Sequence, residues 1–123
     1  MKILLVEPGK VPRPAEIAPS LEAMQKVVGG SIEAVYPFDE PVALICNEEG
    51  KLLGLALNRS LRHPDTGAIY DIIAGTFFLC AAPPDSDRFA GLTDQQVKMY
   101  MERFYMPEMF LNMGGELFAL PYL

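Results

Sequence analysis

The sequence has few of the residues on which familiar enzyme and metal sites depend. It contains one histidine and two cysteines among 123 residues. The histidine, His63, is followed by proline, which is typical of a turn, and no triad or metal partner is evident beside it. The glycine pairs Gly29-Gly30 and Gly114-Gly115 lack the lysine and hydroxyl of a phosphate-binding loop. We therefore expect no catalytic residue, no metal site and no cofactor.

The two cysteines, Cys46 and Cys80, each lie in a strongly apolar segment and do not have metal-ligand spacing. We predict that both are buried thiols of a reducing compartment. A disulfide would require that the two segments be neighbours in space, and the sequence leaves this open.

Long apolar segments and a basic excess are also missing. The first apolar run ends at Glu7, short of the roughly 7 to 15 apolar residues of a secretory signal. No run approaches the roughly 20 residues of a membrane helix, so we expect a cytoplasmic protein that does not bind membranes. The chain has 16 acidic and 10 basic residues and a net charge of -6. This negative balance disfavours binding to the phosphate backbone of nucleic acids.

What the sequence does contain is enough apolar material for one folded unit. Half of the residues are hydrophobic and 21% are charged, which is ordinary for a globular protein. A chain of this length can bury a core without disulfides or metals. We predict a single domain over residues 1–123.

The first third of the chain contains three predicted elements. Residues 2–6 are rich in Ile, Leu and Val and predict a buried strand. Four prolines punctuate residues 8–19, which should therefore be extended. Ser20 can cap a helix over residues 21–28, where apolar side chains recur at helical spacing. Residues 32–36 predict a half-buried strand.

The middle of the chain is predicted to form strands only. Residues 42–46 and 52–57 are apolar runs joined by residues 47–51, which contain a glycine, and we predict a β-hairpin there. Residues 69–81 are rich in β-formers and are broken at Gly75. They form one long bent strand or two short ones.

The last third of the chain begins with a predicted helix. Thr93 and the glutamine three residues later form a capping box, and the helix should run to about Tyr105. Pro107 either ends this helix or begins a second short one through Leu111. Residues 116–120 predict a final strand. In sum, the order of elements predicts an α+β fold, a mainly antiparallel sheet with two or three helices packed on it.

Five stretches of the chain together form a recognisable pattern: residues 5–9, 32–38, 47–51, 54–59 and 70–78. In this combination they resemble the domain of unknown function 3846 family. The resemblance implies an uncharacterised bacterial protein encoded on plasmids, integrated elements and phages, and it carries over no catalytic residue. Relatives tend to have proline where this chain has Ala56, so the backbone that leads to Asn58 should differ here.

A basic cluster stands out in the otherwise acidic chain. Asn58, Arg59, Arg62 and His63 form a candidate anion-binding site for a small ligand or a nucleic-acid end. If the segment is one helical turn, the two guanidinium groups project from neighbouring positions and could hold a phosphate or carboxylate. The alternative is that these are surface arginines that pair with nearby acids such as Asp71.

Methionines and aromatic residues are concentrated in residues 97–113. On a helical wheel, Met99 and Met106 fall on the side opposite to an apolar stripe, where a solvent-facing residue is expected. Thioethers suit adaptable contacts, so these two residues are a candidate interface for a homodimer or a protein partner. The alternative is scattered exposed apolar residues. The stripe that should face the sheet consists of Val97, Tyr100, Met101, Phe104 and Tyr105.

These observations favour a non-enzymatic protein-interaction module or an accessory protein of a mobile element. The second function class is a binder of a small anionic ligand or a nucleic-acid end through Arg59 and Arg62. An enzyme of an unfamiliar type is the weakest of the three.

Overall fold

The centre of the molecule is a five-stranded sheet, and two hairpins form separate two-stranded sheets. The computed structural model describes residues 1–122. In chain order the elements are β1 (Lys2–Val6), β2 (Arg13–Glu16), α1 (Leu21–Val28), β3 (Ile32–Val35), β4 (Val42–Asn47), β5 (Leu57–Arg62), β6 (Ile69–Ala74), β7 (Phe77–Ala81), α2 (Asp94–Arg103), β8 (Glu108–Met113) and β9 (Glu116–Pro121). The strand order of the central sheet is β2-β1-β7-β4-β3, and the two hairpins are β5–β6 and β8–β9.

Strand pairing throughout residues 1–122 is antiparallel. Two α-helices accompany the sheets in this part of the chain. The mixture of helices with mainly antiparallel sheets fits the predicted α+β class. Neither helix has the length and apolar character that crossing a bilayer requires.

The central strands are buried along their whole length because the sheet is covered on both sides. All residues of β4 and β7 are buried, as expected for continuous apolar runs. One face of the sheet packs against α1, through side chains such as Met24 and Val28. The other face packs against α2 and the β5–β6 hairpin, through Tyr100, Leu61 and Ile73.

The capping residues at the start of both helices and at the end of α1 were predicted correctly. The Ser20 hydroxyl accepts a hydrogen bond from the Ala23 N–H at 3.2 Å and caps α1. Gly29 ends this helix with a φ of 78°, a left-handed conformation that glycine adopts without strain. Thr93 and Gln96 form the predicted reciprocal capping box at the start of α2.

Residues 69–81 form two strands, which was one of the two predicted alternatives. Gly75 separates β6 from β7 and has a φ of 84°. A side chain there would be strained, and its Cβ would also lie 2.7 Å from Leu55 Cδ1. The glycine therefore lets the chain leave one sheet and enter the other.

The predicted hairpin of residues 42–46 and 52–57 is wrong. Strand β4 pairs with β3 and β7, and β5 pairs with β6. The chain after β4 coils into tight turns in which the Leu53 N–H donates to Glu49 O at 2.8 Å. Leu52 and Leu53 are exposed there. An apolar run indicated a strand, but these leucines do not reach the sheet.

The region after α2 also differs from the prediction. The helix ends at Arg103, two residues before the predicted end at Tyr105. The alternative of a short helix from Pro107 to Leu111 is wrong, because this segment belongs to strand β8. The predicted final strand is present as β9, and it pairs with β8 along its full length.

The two cysteines are both buried free thiols on neighbouring strands. Cys80 lies opposite Ala43, whereas Cys46 lies three residues further along β4 and faces the other side of the sheet. Three residues of a strand span about 10 Å, which exceeds the reach of a disulfide. Burial raises the pKa of Cys46 to about 11 and that of Cys80 to about 12.

Candidate functional site

Asn58 and Arg59 lie on strand β5, so the helical turn considered for this segment is wrong. Consecutive strand residues normally face opposite sides. Here the pairing with β6 shifts register between Leu57 and Arg59. A β-bulge of this kind redirects side chains. Both residues are consequently buried, and Arg59 is only 1% exposed.

The Arg59 guanidinium is held entirely by protein oxygen atoms. Its Nε and Nη2 donate to Phe104 O at 3.1 and 3.0 Å, and Nη2 also donates to Lys10 O at 2.6 Å. Its Nη1 donates to the Asn58 backbone and side-chain oxygens at 3.3 and 2.9 Å. These bonds use all of the N–H donors of a guanidinium group.

Arg59 lies in an unusual electrostatic position for a buried cation. None of the ion pairs found among residues 1–122 includes it. Its acceptor Phe104 is the C-terminal cap of α2, where the helix dipole is negative. Burial lowers the pKa of Arg59, while the nearby Glu108 carboxylate favours the charged form.

Asn58 completes a set of contacts that we call the Asn58–Arg59 node. Its Nδ2 donates to Val6 O at 2.9 Å and to Gly75 O at 2.8 Å. Together the two side chains join the end of β1, the β6–β7 turn and the end of α2. The geometry gives these residues a structural role and leaves Arg59 no N–H donor for an external anion.

Arg62 and His63, the other two members of the predicted anion site, lie near the end of β5. Arg62 donates to Gly67 O at 2.9 Å and to Ala119 O at 3.2 Å. His63 packs against Tyr70 with a ring-centroid distance of 4.7 Å. The predicted alternative of pairing with Asp71 does not occur, because this carboxylate accepts from Lys51.

Arg62 also faces a cavity of about 330 Å³ that sequence reasoning did not predict. Arg103, at the end of α2, lines the same cavity and stacks on Phe38 at 4.7 Å from the ring centroid. Glu108 enters it from β8 and accepts from Ser60, at 3.0 Å from the backbone N–H and 2.5 Å from the hydroxyl. The lining comes from four elements, β5, α2, β8 and β9, so no local motif could have indicated it.

The two methionines of the predicted interface do not share a helix face. Met99 lies on α2, but Met106 lies beyond the end of that helix. Both are exposed, as predicted. Tyr100 and Phe104 are buried in the core as the helical wheel indicated, whereas Tyr105 is exposed because it lies outside the helix.

The largest group of exposed apolar side chains lies on the β8–β9 hairpin. Cross-strand partners such as Met109 and Leu120 share one face of the ribbon. Met113 is 59% exposed, Leu120 46% and Met109 45%. We call this surface the outer hairpin face. Leu111, which is half-buried, lies on it together with four exposed apolar residues, Met109, Met113, Phe118 and Leu120.

The opposite face of the hairpin is attached to the rest of the protein. Glu108 bonds to Ser60 of β5, and Ala119, which is buried, accepts from Arg62 through its carbonyl. The base of the hairpin is closed by the Tyr122 N–H, which donates to Pro107 O at 2.8 Å. The outer hairpin face is thereby fixed toward solvent.

No group of three or more His, Cys, Asp or Glu side chains that could hold a metal ion occurs within residues 1–122. The features that distinguish this protein are a covered antiparallel sheet, the buried Asn58–Arg59 node and an exposed apolar hairpin. They define an α+β protein.

The chain belongs to the domain of unknown function 3846 family, whose model matches residues 1–105. This confirms the resemblance seen in the sequence. The matched range includes the node and α2, whereas the β8–β9 hairpin lies after it. Comparison with curated proteins and with solved structures found no match.

Proposed function

We propose that the protein is a non-enzymatic interaction module that binds another protein surface through the outer hairpin face. The observation that carries the proposal is the set of large apolar side chains exposed on one side of β8–β9. Each Å² of apolar surface removed from water contributes about 25 cal/mol. A contiguous patch of this kind is typical of an interaction surface.

The attachment of the hairpin supports the same proposal. A two-stranded ribbon alone is marginally stable in water. Here Glu108 and the Ala119 carbonyl bond to β5, so the ribbon is held in one orientation before a partner arrives. A surface that is already ordered loses less conformational entropy on binding.

The cellular setting belongs to the proposal as well. We propose an accessory protein of a mobile element, and the family resemblance is its only support. A cytoplasmic location is supported by the two buried free thiols, Cys46 and Cys80, since thiols persist in reducing compartments.

Site-specific photo-cross-linking in the host cell tests the proposal. Phe118 is replaced by p-benzoylphenylalanine, and Leu52, which is 86% exposed but far from the hairpin in sequence, is replaced in a matched control. We expect discrete cross-linked products for position 118 that are absent for position 52. No product at position 118, or the same products at both positions, would contradict the proposal.

A second candidate function is the binding of a small anion or a nucleic-acid end in the cavity beside the hairpin. Arg62 and Arg103 both line this cavity, and neither takes part in an ion pair found among residues 1–122. This revises the predicted pair, because Arg103 takes the place of the buried Arg59. Guanidinium groups suit phosphate and carboxylate.

Titration with inorganic phosphate and with a 5′-phosphorylated dinucleotide, followed by amide NMR shifts, tests this second function. The Arg62→Ala, Arg103→Ala double variant should lose saturable shifts around the cavity. Arg13→Ala is the matched control, since Arg13 is an exposed arginine paired with Glu7. Equal shifts in all three proteins, or none in the wild type, would contradict it.

A further inference from the structure

Arg62 brings N–H donors to the cavity beside the hairpin that its protein contacts do not use. A guanidinium group has five N–H donors. Among residues 1–122, Arg62 uses one of them on Gly67 O and one on Ala119 O. These two contacts orient the guanidinium before a ligand arrives, so less conformational entropy is lost on binding. The remaining donors of Arg62 suit an anionic group such as a phosphate.

The same cavity contains acceptor capacity at Glu108. An ionised carboxylate offers about four acceptor positions on its two oxygens. Ser60 occupies one position on each oxygen, through its backbone N–H at 3.0 Å and its hydroxyl at 2.5 Å. None of the ion pairs found among residues 1–122 includes Glu108. Its free positions can therefore accept hydrogen bonds from an amino group of a ligand.

Arg103 adds a flat surface to this cavity. Its guanidinium lies over Phe38 at 4.7 Å from the ring centroid, and the centroid of Phe104 is 5.8 Å away. The two rings support one side of the group, while Arg103 as a whole remains exposed. Nucleobases stack on guanidinium planes as they do on aromatic rings. A planar ring therefore suits this part of the cavity better than an aliphatic chain.

The spacing of the polar groups excludes the smallest ligands that carry both an anionic group and an amino group. Glu108 and Arg62 form no ion pair, so their charged atoms lie more than about 4 Å apart. Ser60, which holds Glu108, is two residues from Arg62 on β5, about 6 to 7 Å along the strand. A free amino acid has its ammonium and carboxylate groups on one carbon atom. A nucleotide has its phosphate and its base separated by the sugar.

We infer that the cavity binds a cytidine monophosphate, with its phosphate at Arg62, its base stacked on Arg103 and its amino group donating to Glu108. This inference rests on the second candidate function and names the ligand. A carboxylate is the side-chain group that accepts from the cytosine amino group, whereas adenine is recognised mainly by amides. The cytosine ring therefore matches Glu108 better than adenine does.

The size of the cavity and the charge of the protein favour a single nucleotide over the end of a strand. The cavity of about 330 Å³ lies at the lower end of the roughly 300 to 1,000 Å³ of small-ligand sites. Arg62 and Arg103 can offset the charge of about -2 on one terminal phosphate. The chain has a net charge of -6, so each further phosphate of a strand would add repulsion.

Calorimetric titration of the wild type with cytidine and uridine 5′-monophosphates tests the ligand without any substitution. At C4 of the ring, cytidine has an amino group and uridine a carbonyl oxygen. The Glu108 carboxylate accepts from the amino group and repels the carbonyl oxygen, so the cytidine nucleotide should bind about 10-fold more tightly or better. Cytidine without phosphate should bind about 10-fold more weakly than its monophosphate, because Arg62 then has no anionic partner.

Three variants assign the two ends of the ligand. Glu108→Gln keeps the size of the side chain and can keep both contacts to Ser60. It should remove most of the preference for the cytidine nucleotide, because an amide can donate to the uridine carbonyl. Arg62→Ala should weaken both nucleotides by about 10-fold and leave their ratio unchanged. Arg13→Ala is the matched control and should bind as the wild type does, and amide NMR spectra check that each variant is folded.

The results separate this inference from the candidate function on which it rests. Equal binding of the two nucleotides, or a preference that Glu108→Gln retains, would overturn the ligand. The anion site would still stand if Arg62→Ala lost the binding of inorganic phosphate. No binding of either nucleotide or of inorganic phosphate would overturn both. A 5′-phosphorylated cytidine dinucleotide that binds more tightly than the monophosphate would overturn the single nucleotide in favour of a strand end.

Discussion

Replacement of the buried Arg59 by methionine tests the structural role assigned to the Asn58–Arg59 node. The substitution keeps an unbranched side chain of similar length but removes every N–H donor. Phe104 O and Lys10 O would each lose a buried donor, and so would the backbone and side-chain oxygens of Asn58. We therefore expect a large loss of stability rather than a selective loss of binding.

The magnitude follows from the number of acceptors left without a partner. Each buried acceptor that loses its donor costs about 1 to 2 kcal/mol, so four cost about 4 to 8 kcal/mol. Methionine carries no charge that must be buried, and this offsets about 1 to 2 kcal/mol of the cost. The net loss of about 3 to 6 kcal/mol is a substantial share of the roughly 6 to 15 kcal/mol expected for a domain of this size.

Urea denaturation followed by far-UV circular dichroism measures this loss for Arg59→Met. Arg62→Met is the matched control and should lose less than about 1 kcal/mol, because Arg62 is exposed. Arg59→Lys should recover only part of the loss, since an ammonium group cannot bridge the same set of acceptors. An Arg59→Met protein within about 0.5 kcal/mol of the wild type would refute the structural role of the node.

Two further predictions concern the thiols and the cap of α2. Burial raises the pKa of Cys46 to about 11 and that of Cys80 to about 12. The contribution of the two protonated thiols to the free energy of unfolding is therefore fully present below the unfolded thiol pKa of about 8.5. This contribution is lost as pH rises through the folded pKa values, by up to about 1.4 kcal/mol per pH unit for each thiol. The free energy of unfolding, measured in urea at pH 8 and at pH 10, should therefore fall more for the wild type than for the Cys46→Ala, Cys80→Ala double variant. An equal fall in the two proteins would contradict this. Thr93→Ala should lower the stability measured by thermal unfolding by about 1 kcal/mol, because the cap of α2 is lost. Thr93→Ser keeps a capping hydroxyl and should retain most of this stability. An unchanged thermal midpoint for Thr93→Ala would argue against the capping box.

The features that could be predicted from sequence depend on residues close together in the chain. Ser20 and Thr93 cap helices through backbone groups three positions away, and Gly29 ends a helix by its own conformation. Such contacts are visible in a short window of sequence. Two features could not be predicted in this way, the pairing of β5 with β6 and the turns of residues 48–54. They depend on which of several apolar segments packs into the sheet, and a short window of sequence does not show this.

The burial of Arg59 could not be predicted for the same reason. Its acceptors Phe104 and Lys10 lie 45 and 49 positions away. An arginine in an acidic chain indicates an anion site when only its neighbours in sequence are known. The node forms because the end of α2 and the loop after β1 meet at β5, which is a property of the tertiary fold.

The β8–β9 hairpin did have a local signal. Gly114-Gly115 separates two mainly apolar segments, and a two-residue glycine turn between such segments is typical of a hairpin. Methionine and leucine favour a helix as well, and the helical spacing of α2 extended that interpretation past Pro107. The glycine turn was the better indicator.

The position of β5 affects how loss-of-function mutations in this protein should be interpreted. Arg59 and Ser60 are adjacent in the chain, yet one supports the end of α2 and the other supports the hairpin through Glu108. A genetic screen would therefore recover neighbouring substitutions with the same phenotype and different origins. The amount of protein in the cell should distinguish them, because changes at Arg59 lower its abundance, whereas changes at Ser60 leave abundant protein that has lost its contact surface.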